Sequence, residues 1–477
     1  MANLWVKKPL SQLLAQASDS EKGLKRTLGA YNLVALGIGA IIGAGLFVRT
    51  AAAAAEAAGP SVTLSFIVAA VGCAFAGLCY AEFAAMIPIA GSAYTYSYAT
   101  MGELVAWIIG WALIMEYALG AATVSIAWSE YLNKLLGGAI PFEWSHSPME
   151  GGIMNAPALI ILLLLTLVLI KGTQESATLN AIIVFIKVTI VLLFIALGWQ
   201  FVKPENHVPY MIPEGMAGHE GFFKHGYGGV LGGAAIVFFA FIGFDAVSTA
   251  AQEAKNPKKD MPIGILGSLA VCTVLYILFA HVLTGVANWT EFKTAGKEAS
   301  VAFAIQTYMP GYEWLATLVT VAILAGFSSV ILVMLLGQSR VFYSMANDGL
   351  IPKVFAELHP RFRTPYKSNW ILFLFVGLFA AFIPGSMAGD LTSFGTLLAF
   401  VLVSIGVLVM RRAEPDQPRP FRTPLVPLVP ILGAVICTGM IVAIDPFTLK
   451  AAFAWMALGF VVYFLYSRHH SKLQQGA

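Results

Sequence analysis

Apolar stretches of membrane-spanning length recur along the whole of this 477-residue chain. A bilayer core about 30 Å thick is crossed by roughly 20 helical residues. Only 11% of the residues are charged, against about 25% in an ordinary soluble domain. The sequence therefore predicts an all-α integral membrane protein with twelve spans. These are residues 30–50, 61–87, 104–133, 154–170, 177–202, 229–250, 263–287, 314–345, 370–384, 391–410, 425–444 and 450–466.

The distribution of basic residues predicts the orientation. With twelve spans and a cytoplasmic N-terminus, most of the 28 lysines and arginines fall in cytoplasmic segments, as cytoplasmic loops of membrane proteins require. Both termini are therefore predicted to be cytoplasmic. The net charge of +3 reflects this topology and does not indicate nucleic-acid binding. The basic loops are expected to face anionic membrane lipid.

Several functional classes are disfavoured by the sequence. Residues 1–29 are polar and basic, unlike a cleavable signal peptide. The four cysteines lie inside apolar spans, which favours buried free thiols over disulfides or a zinc site. No metal-binding cluster, nucleophile–base motif or phosphate loop is evident, so we expect neither an enzyme nor a metal or organic cofactor. The cysteines are Cys73, Cys79, Cys272 and Cys437.

The first span contains "GIGAIIGAGLF" at residues 37–47, in which four of eleven residues are glycine. Each glycine costs a helix about 1 kcal/mol relative to alanine. Glycines four apart are typical of close helix packing, whereas a broken helix at membrane depth indicates a cavity. Span 6 carries "FFAFIGFDAVSTA" at residues 238–250, with a glycine and an aspartate in mid-span. This pairing favours unwinding, near residues 43–45 and 241–243.

The two candidate breaks lie at equivalent positions of two five-span blocks, residues 30–202 and 229–410. An odd number of spans per block inverts the second block, as in secondary transporters with discontinuous helices. Residues 1–29 are then a cytoplasmic N-terminal segment. Two additional spans occupy residues 425–466, and residues 467–477 form a cytoplasmic tail.

Charged side chains within spans are functional candidates because burying them is costly. Lys187 is either held permanently by a carbonyl or carboxylate, or titrates and couples to protons. Asp245 caps the second half of span 6, transfers a proton, or does both. Glu116 faces the substrate or pairs with another helix. Glu82 is expected to form a gating or structural ion pair, and His281 to be a packed histidine.

Broken helices also predict the chemistry of a ligand. Exposed N–H groups around Gly43, Ala44 and Gly45 attract an anion. Carbonyl groups freed in span 6 attract a cation. A small zwitterion with adjacent amino and carboxylate groups satisfies both, which indicates an α-amino acid.

Four motifs resemble the amino acid–polyamine–organocation superfamily, and in particular bacterial members of the cationic amino acid transporter family. The resemblance covers about residues 25–470. It implies a leucine-transporter-type fold with a 5+5 inverted repeat in a bacterial plasma membrane. It also implies alternating access and amino-acid uptake driven by the proton gradient. The motifs are "GIGAIIGAGLF", "CYAEFAAMIPIAGSAYTYSY", "FFAFIGFDAVSTAAQEAKNPKKDMPIGI" and "GQSRVFYSMANDGLIP".

The resemblance also implies roles for individual residues. The substrate carboxylate would meet the backbone of residues 43–45, with Ile41 on the amino-group side. The amino group would also meet carbonyls in span 6, where one aromatic side chain would close over the substrate as a gate. Lys187 matches a lysine at the sodium position of sodium-coupled relatives, and Asp245 matches an acidic position linked to proton coupling. The span 6 carbonyls are those of Phe239, Ala240 and Ile242, and the gate is Phe239.

Two departures from the family pattern bear on the substrate. Ala44 stands where many relatives carry serine or threonine, which removes one hydrogen bond. Met334 stands where animal arginine carriers have a small residue, and a methionine narrows the side-chain pocket. We therefore predict a proton-coupled symporter of small neutral L-amino acids such as alanine. The alternatives are an exchanger, a cationic amino acid carrier with Glu116 holding the substrate charge and, remotely, a receptor that transports nothing.

Overall fold

The computed structural model consists of helices joined by loops in the part of the chain that it describes. It describes residues 4–475 apart from 12, 14–27, 88–91, 172–176, 250, 252–253, 294–299 and 363. Within these residues there is no β-strand, and Leu28 pairs with Ala254 in an isolated bridge. The predicted all-α class is confirmed. Most of the predicted segment 1–29, residue 250 of the span 6 motif and residues 476–477 of the tail lie outside the described residues.

The helices are numbered here in chain order. Helices α1 to α8 are Ala30–Ile41, Val62–Met86, Ser92–Thr100, Glu103–Leu135, Ala156–Lys171, Ala177–Gly198, Gly226–Val237 and Ala246–Thr249. Helices α9 to α15 are Pro257–Val286, Ser300–Tyr308, Glu313–Asn347, Tyr366–Phe382, Gly385–Ala413, Leu428–Val442 and Pro446–Val462. Helix α4 contains a π-helical turn at Met115–Leu119.

Apolar helices follow the spans predicted from the sequence. Among the described residues, seven helices are long and apolar enough to cross a membrane, and five shorter apolar helices have 10–17 residues. Each of the twelve predicted spans contains at least part of one of these helices, while the number of membrane crossings stays a prediction. The seven are Gly45–Met86, Glu103–Leu135, Ile182–Phe201, Pro257–Val286, Glu313–Asn347, Gly385–Ala413 and Pro446–His470.

The first span is interrupted where its glycines predicted a break. Helix α1 ends at Ile41, and Ile42 has an extended backbone. The helical chain resumes with a π-helical turn at Gly45–Arg49 and continues to residue 58, and we call residues 45–58 the second half-helix. A side chain at Gly45 is excluded by close packing, because its Cβ would lie 2.2 Å from the Cα of Ala240. The predicted unwinding is confirmed.

Span 6 is interrupted as well. Helix α7 runs into a 3₁₀ turn at Phe238–Phe241, Ile242 is extended, and α8 begins at Ala246. Gly243 has φ +116°, a backbone conformation that strongly favours glycine. Its Cβ would also lie 2.8 Å from the carbonyl oxygen of Ala40. The second predicted break is confirmed and lies against the end of α1.

Long helices flank the two breaks. Helix α9 packs along α1 and α2, and α11 packs along α4. Small residues bring α9 close to α1: a Cβ on Gly264 would lie 2.7 Å from the Cβ of Leu33, and one on Gly37 would lie 2.4 Å from the hydroxyl of Ser268. The four cysteines are buried free thiols, as predicted.

Candidate functional site

The two helix breaks contact each other, and a tyrosine joins them. The backbone of Gly45 packs on Ala240. The hydroxyl of Tyr276 on α9 lies 3.0 Å from the carbonyl oxygen of Ile41 and 2.9 Å from that of Ala240. The single hydrogen of this hydroxyl is shared between the two carbonyls, so neither carbonyl has a full hydrogen bond from it. Sequence reasoning missed Tyr276, since a tyrosine within an apolar span gives no local signal of its partners.

The predicted carboxylate-binding residues lie at the N-terminal end of the second half-helix. The carbonyl of Gly43 accepts hydrogen bonds from the N–H groups of Leu46 at 3.2 Å and Phe47 at 3.4 Å. The N–H groups of residues 43–45 lie ahead of these first helical bonds, where a helix has no acceptor of its own. They form the positive end of a helix dipole, which suits an anion.

One face of α11 contacts the first break and its surroundings. Four positions, three or four residues apart, touch α6, the first break and α4 in succession. This face therefore carries Met334 and contacts Lys187, two of the predicted site residues, and its contact with the break at Gly43 lies between them along α11. The contact pairs are Gly326 with Lys187, Val330 with Gly43, Met334 with Gly120, and Gly337 with Tyr117.

Lys187 is bound at the end of α1. Its Nζ donates to the carbonyl of Gly39 at 2.9 Å, and its side chain is only 4% exposed. In an unbroken helix this carbonyl would accept from residue 43, so the break frees it and the ammonium group replaces the lost partner. A Cβ on Gly326 would lie 2.8 Å from Cε of Lys187. The alternative in which a carbonyl holds the lysine is thereby supported, and its role in proton coupling stays a prediction.

Glu116 and Asp245 form a buried pair of carboxyl groups. Both residues are fully buried and their side chains are neighbours, with the hydroxyl of Thr396 also beside Glu116. The hydroxyl of Tyr117 donates to Oδ2 of Asp245 at 3.3 Å. Both oxygens of Glu116 and Oδ1 of Asp245 have no hydrogen-bond partner of good geometry among the described residues. Glu116 therefore lies beside a residue of span 6, and its contact with the substrate stays a prediction.

Further polar side chains surround this pair. The rings of Tyr80 and Tyr96 meet edge to face with centroids 6.4 Å apart, near Asp245. Their hydroxyls, together with the hydroxyl of Ser248, are buried without a good hydrogen-bond partner in the described part of the chain. Buried polar groups are normally paired, so this region has the composition of a binding or proton-transfer site. The sequence analysis had not singled out these residues.

The remaining predicted substrate residues are buried around the breaks. Phe239, Ala240 and Ile242 lie in or beside the 3₁₀ turn, where the N–H of Ile242 donates to the carbonyl of Phe239 at 3.3 Å. No hydrogen bond among the described residues joins Phe239 or Ile242 to the first break. Met334 is buried with its sulfur against Gly120, one helical turn along α4 from Glu116.

Two other residues predicted from the sequence lie outside this centre. Glu82 makes ion pairs with Arg411 at 2.8 Å and Arg419 at 3.3 Å, as expected of a gating or structural carboxylate. The ring of His281 packs 5.3 Å from that of Trp199, as expected of a packed histidine. Within the described residues, no group of three or more metal-ligating side chains could hold a metal ion.

Comparison with known proteins decides the family. The amino acid permease family model matches residues 28–466. The chain belongs to the amino acid permease family. This permease is 44% identical to the branched-chain amino acid permease of Bacillus subtilis (strain 168), over 98% of each chain. It is 43% identical to the methylthioribose transporter of the same organism over 100% of each chain, and 36% identical to human cationic amino acid transporter 4, over 84% of this chain and 63% of that one.

Family membership gives the permease a transport role rather than an enzymatic one. The resemblance predicted from the four motifs is confirmed at the level of the family. Among these relatives, the bacterial permeases are more similar to this chain than the cationic amino acid transporter is. The relatives' names refer to different substrates, so the substrate of this permease does not follow from its family.

Proposed function

We propose that this permease takes up small neutral L-amino acids, such as alanine, together with protons. The observation that carries the proposal is the contact between two interrupted helices, which brings the start of the second half-helix at residues 43–45 beside the carbonyls of Ile41 and Ala240. The N–H groups bind the substrate carboxylate and the carbonyls accept from its ammonium group. Tyr276 releases one carbonyl, or both, when the substrate ammonium arrives.

Side-chain selection in this proposal depends on Met334. The amino and carboxylate ends are common to all α-amino acids, so selection arises from differences in side-chain affinity. The side chain of Met334 fills volume beside Gly120. Its thioether sulfur is a much weaker hydrogen-bond acceptor for a guanidinium group than a carboxylate is. In this proposal a proton held by the neighbouring carboxyl groups of Glu116 and Asp245, rather than a cationic substrate side chain, reduces the negative charge of the pair.

Proton coupling in this proposal uses Glu116, Asp245 and Lys187. Two carboxylates side by side in a region of low dielectric repel each other, which favours a single proton shared by the pair. Asp245 directly follows the second break, so a change in its charge acts on the backbone that meets the substrate. Lys187 supplies a positive charge at the end of α1 in place of a bound cation.

The proposal includes the membrane architecture. Twelve spans form two inverted five-helix repeats, residues 30–202 and 229–410, followed by two helices at residues 425–466. Both termini lie in the cytoplasm of a bacterial cell, and the protein resides in the plasma membrane. Equivalent interruptions in spans 1 and 6, and the excess of lysine and arginine in the assigned cytoplasmic segments, support this arrangement.

Branched-chain amino acids are a second candidate substrate class. Two relatives carry the name branched-chain amino acid permease, one from Bacillus subtilis at 44% identity and one from Lactococcus lactis at 33% identity. This class fits the same backbone contacts and requires Met334 to move aside, which the flexibility of methionine permits. The relative abilities of alanine, leucine and arginine to compete for uptake distinguish the three side-chain classes.

Uptake into sealed proteoliposomes tests the proposal. We expect radiolabelled alanine to accumulate when the vesicle interior is more alkaline than the exterior, and unlabelled alanine and serine to compete better than leucine or arginine. Accumulation without dependence on the pH gradient, but dependent on internal amino acid, would indicate an exchanger. Binding without accumulation would indicate a receptor. Arginine uptake comparable to that of alanine would refute the neutral-substrate proposal.

A further inference from the structure

A cavity of about 310 Å³ lies between α4, α12, α13 and α15, away from the two helix breaks. Twelve side chains line it in the described part of the chain, and all of them are apolar. This volume is at the lower end of the range for small-molecule sites. An amino acid cannot occupy it favourably, because its charged groups would be buried there without partners.

The indole N–H of the tryptophan that lines the cavity is not available to a ligand. Trp455 lines the cavity and stacks on Trp111 with ring centroids 4.8 Å apart. The indole N–H of Trp111 donates to the carbonyl of Trp455 at 2.8 Å, and that of Trp455 donates to the carbonyl of Trp111 at 3.4 Å. Both indole N–H groups are therefore used between the helices, and the cavity presents hydrocarbon and sulfur surface.

The cavity adjoins the surface that faces lipid. On α12, Leu374 is 64% exposed and Leu378 is 59% exposed, and both lie beside the residues of α12 that line the cavity. On α15, Ala454 and Leu458 are exposed and are themselves lining residues. In a helix that spans the membrane, these exposed apolar side chains contact lipid chains. The opening of the cavity is therefore continuous with the hydrocarbon of the bilayer.

The depth of the cavity matches the acyl-chain region of one leaflet. Its lining residues on α15 fall within residues 451–458, and the helix begins at Pro446. Measured from residue 450, where the last predicted span begins, and at about 1.5 Å per residue, the cavity extends from roughly 2 to 12 Å along the helix. Half of the hydrocarbon core of a bilayer is about 15 Å thick.

We propose that this cavity binds one acyl chain of a membrane lipid. Protein interiors are close-packed, so an apolar space open to the bilayer is filled by hydrocarbon. Met115 and Leu119, at the two ends of the π-helical turn that carries Glu116, form part of its wall. Met387 and Leu391, on either side of Asp390, form another part. The bound chain thus packs directly on the segments that carry Glu116 and Asp390.

Photocrosslinking of the full-length permease in lipid nanodiscs tests the proposal. The probe is a phosphatidylglycerol with a diazirine at the middle of one acyl chain. Peptide mass spectrometry should place adducts on the lining residues of α12 and α15 at least fivefold above other lipid-facing helices. The variant Ala454→Trp fills the cavity and should remove this enrichment. Ala457→Trp, at an exposed position on α15 that does not line the cavity, is the matched control and should retain it.

Both variants are first checked for a monodisperse elution profile and a melting temperature close to that of the unmodified protein. Equal adduct yields in Ala454→Trp and the unmodified protein would overturn the proposal. Adducts spread evenly over all lipid-facing helices would overturn it as well. Neither readout depends on the transported substrate, so failure of this proposal is distinguishable from failure of the proposed transport function.

Discussion

The freed carbonyl of Gly39 and the ammonium group of Lys187 show how one residue completes a broken helix. The break at Ile42 removes the helical partner of this carbonyl, and an unsatisfied buried carbonyl costs about 1–3 kcal/mol. Lys187 reaches it from α6, 148 residues away along the chain. Its long side chain passes over Gly326, where a larger residue would obstruct it. The lysine therefore stabilises the interruption that exposes the candidate substrate site.

Substitution of Lys187 separates this structural contribution from coupling. We expect Lys187→Ala to fold with a lower melting temperature than the unmodified protein. Its rate of gradient-driven alanine uptake should be at least tenfold lower. Lys171→Ala, at an exposed position at the end of α5, should leave uptake unchanged. Uptake is measured in proteoliposomes at several external pH values. If Lys187→Ala retains the pH dependence of the unmodified protein, Lys187 has no part in proton coupling.

Substitution of Met334 tests whether this side chain limits the size of the substrate. Met334→Ser removes side-chain volume opposite Gly120, so leucine and arginine should compete for alanine uptake at least tenfold better than in the unmodified protein. The loss of buried apolar volume should also destabilise the fold by about 2–5 kcal/mol. Met456→Ser, which removes an equally buried methionine from α15, controls for that cost. An unchanged competition profile in Met334→Ser would show that Met334 does not limit the substrate.

At the scale of elements, two short interruptions depend on backbones that approach each other closely. The break after α1 and the break after α7 touch at Gly45 and Ala240, and Tyr276 joins their carbonyls. Neither half-helix can move far without its counterpart, because the contact is between backbone atoms. The breaks act as a single unit that presents N–H groups on one side and carbonyls on the other.

Gly45→Ala tests this contact. A Cβ at this position would lie 2.2 Å from the Cα of Ala240, so the two breaks must separate. We expect alanine binding to weaken at least tenfold in a thermal-shift titration, with a lower melting temperature. Gly439→Ala is the matched control, because its Cβ meets nothing within 4 Å inside α14. It should keep binding and gain up to about 1 kcal/mol in helix stability. Normal binding by Gly45→Ala would contradict the proposed geometry.

At the scale of the whole molecule, α13 carries ion pairs near both of its ends. Asp390, near the start of α13, pairs with Arg49 of the second half-helix. Arg411, near the end of α13, pairs with Glu82 of α2. Twenty-one residues separate Asp390 from Arg411, which is roughly 30 Å along a helix. The structure is therefore held at both ends. If the permease works by alternating access, as its family resemblance predicts, the two sets of contacts must break separately.

Removal of one carboxylate should loosen one end only. Asp390→Asn leaves Arg49 buried without its charged partner, a change that typically costs about 3–5 kcal/mol. We expect faster hydrogen exchange in residues 45–58 and unchanged exchange in residues 411–423. Glu82→Gln should produce the reverse pattern. Hydrogen exchange of each variant in nanodiscs is measured by mass spectrometry. Equally faster exchange at both ends in either variant would contradict the prediction that the two sets of contacts break separately.

The sequence by itself determined the features that depend on local composition. Apolar length predicted the membrane helices, because backbone groups in hydrocarbon must pair within the helix. The glycines of spans 1 and 6 predicted both interruptions, and isolated charges within apolar stretches identified Glu116, Lys187 and Asp245. These signals can be read without knowing which helices pack together, because each reflects the energetic cost of placing a residue in its own helix.

Only the tertiary structure decided which groups meet. Lys187 binds a carbonyl of α1, Glu116 lies beside Asp245, and Tyr276 reaches both breaks. Arg49 and Asp390 are 341 residues apart along the chain. In helices that are apolar on most sides, periodicity does not indicate which face meets which neighbour. The pairings follow instead from small residues that let particular helices approach, and those approaches exist only once the helices are packed.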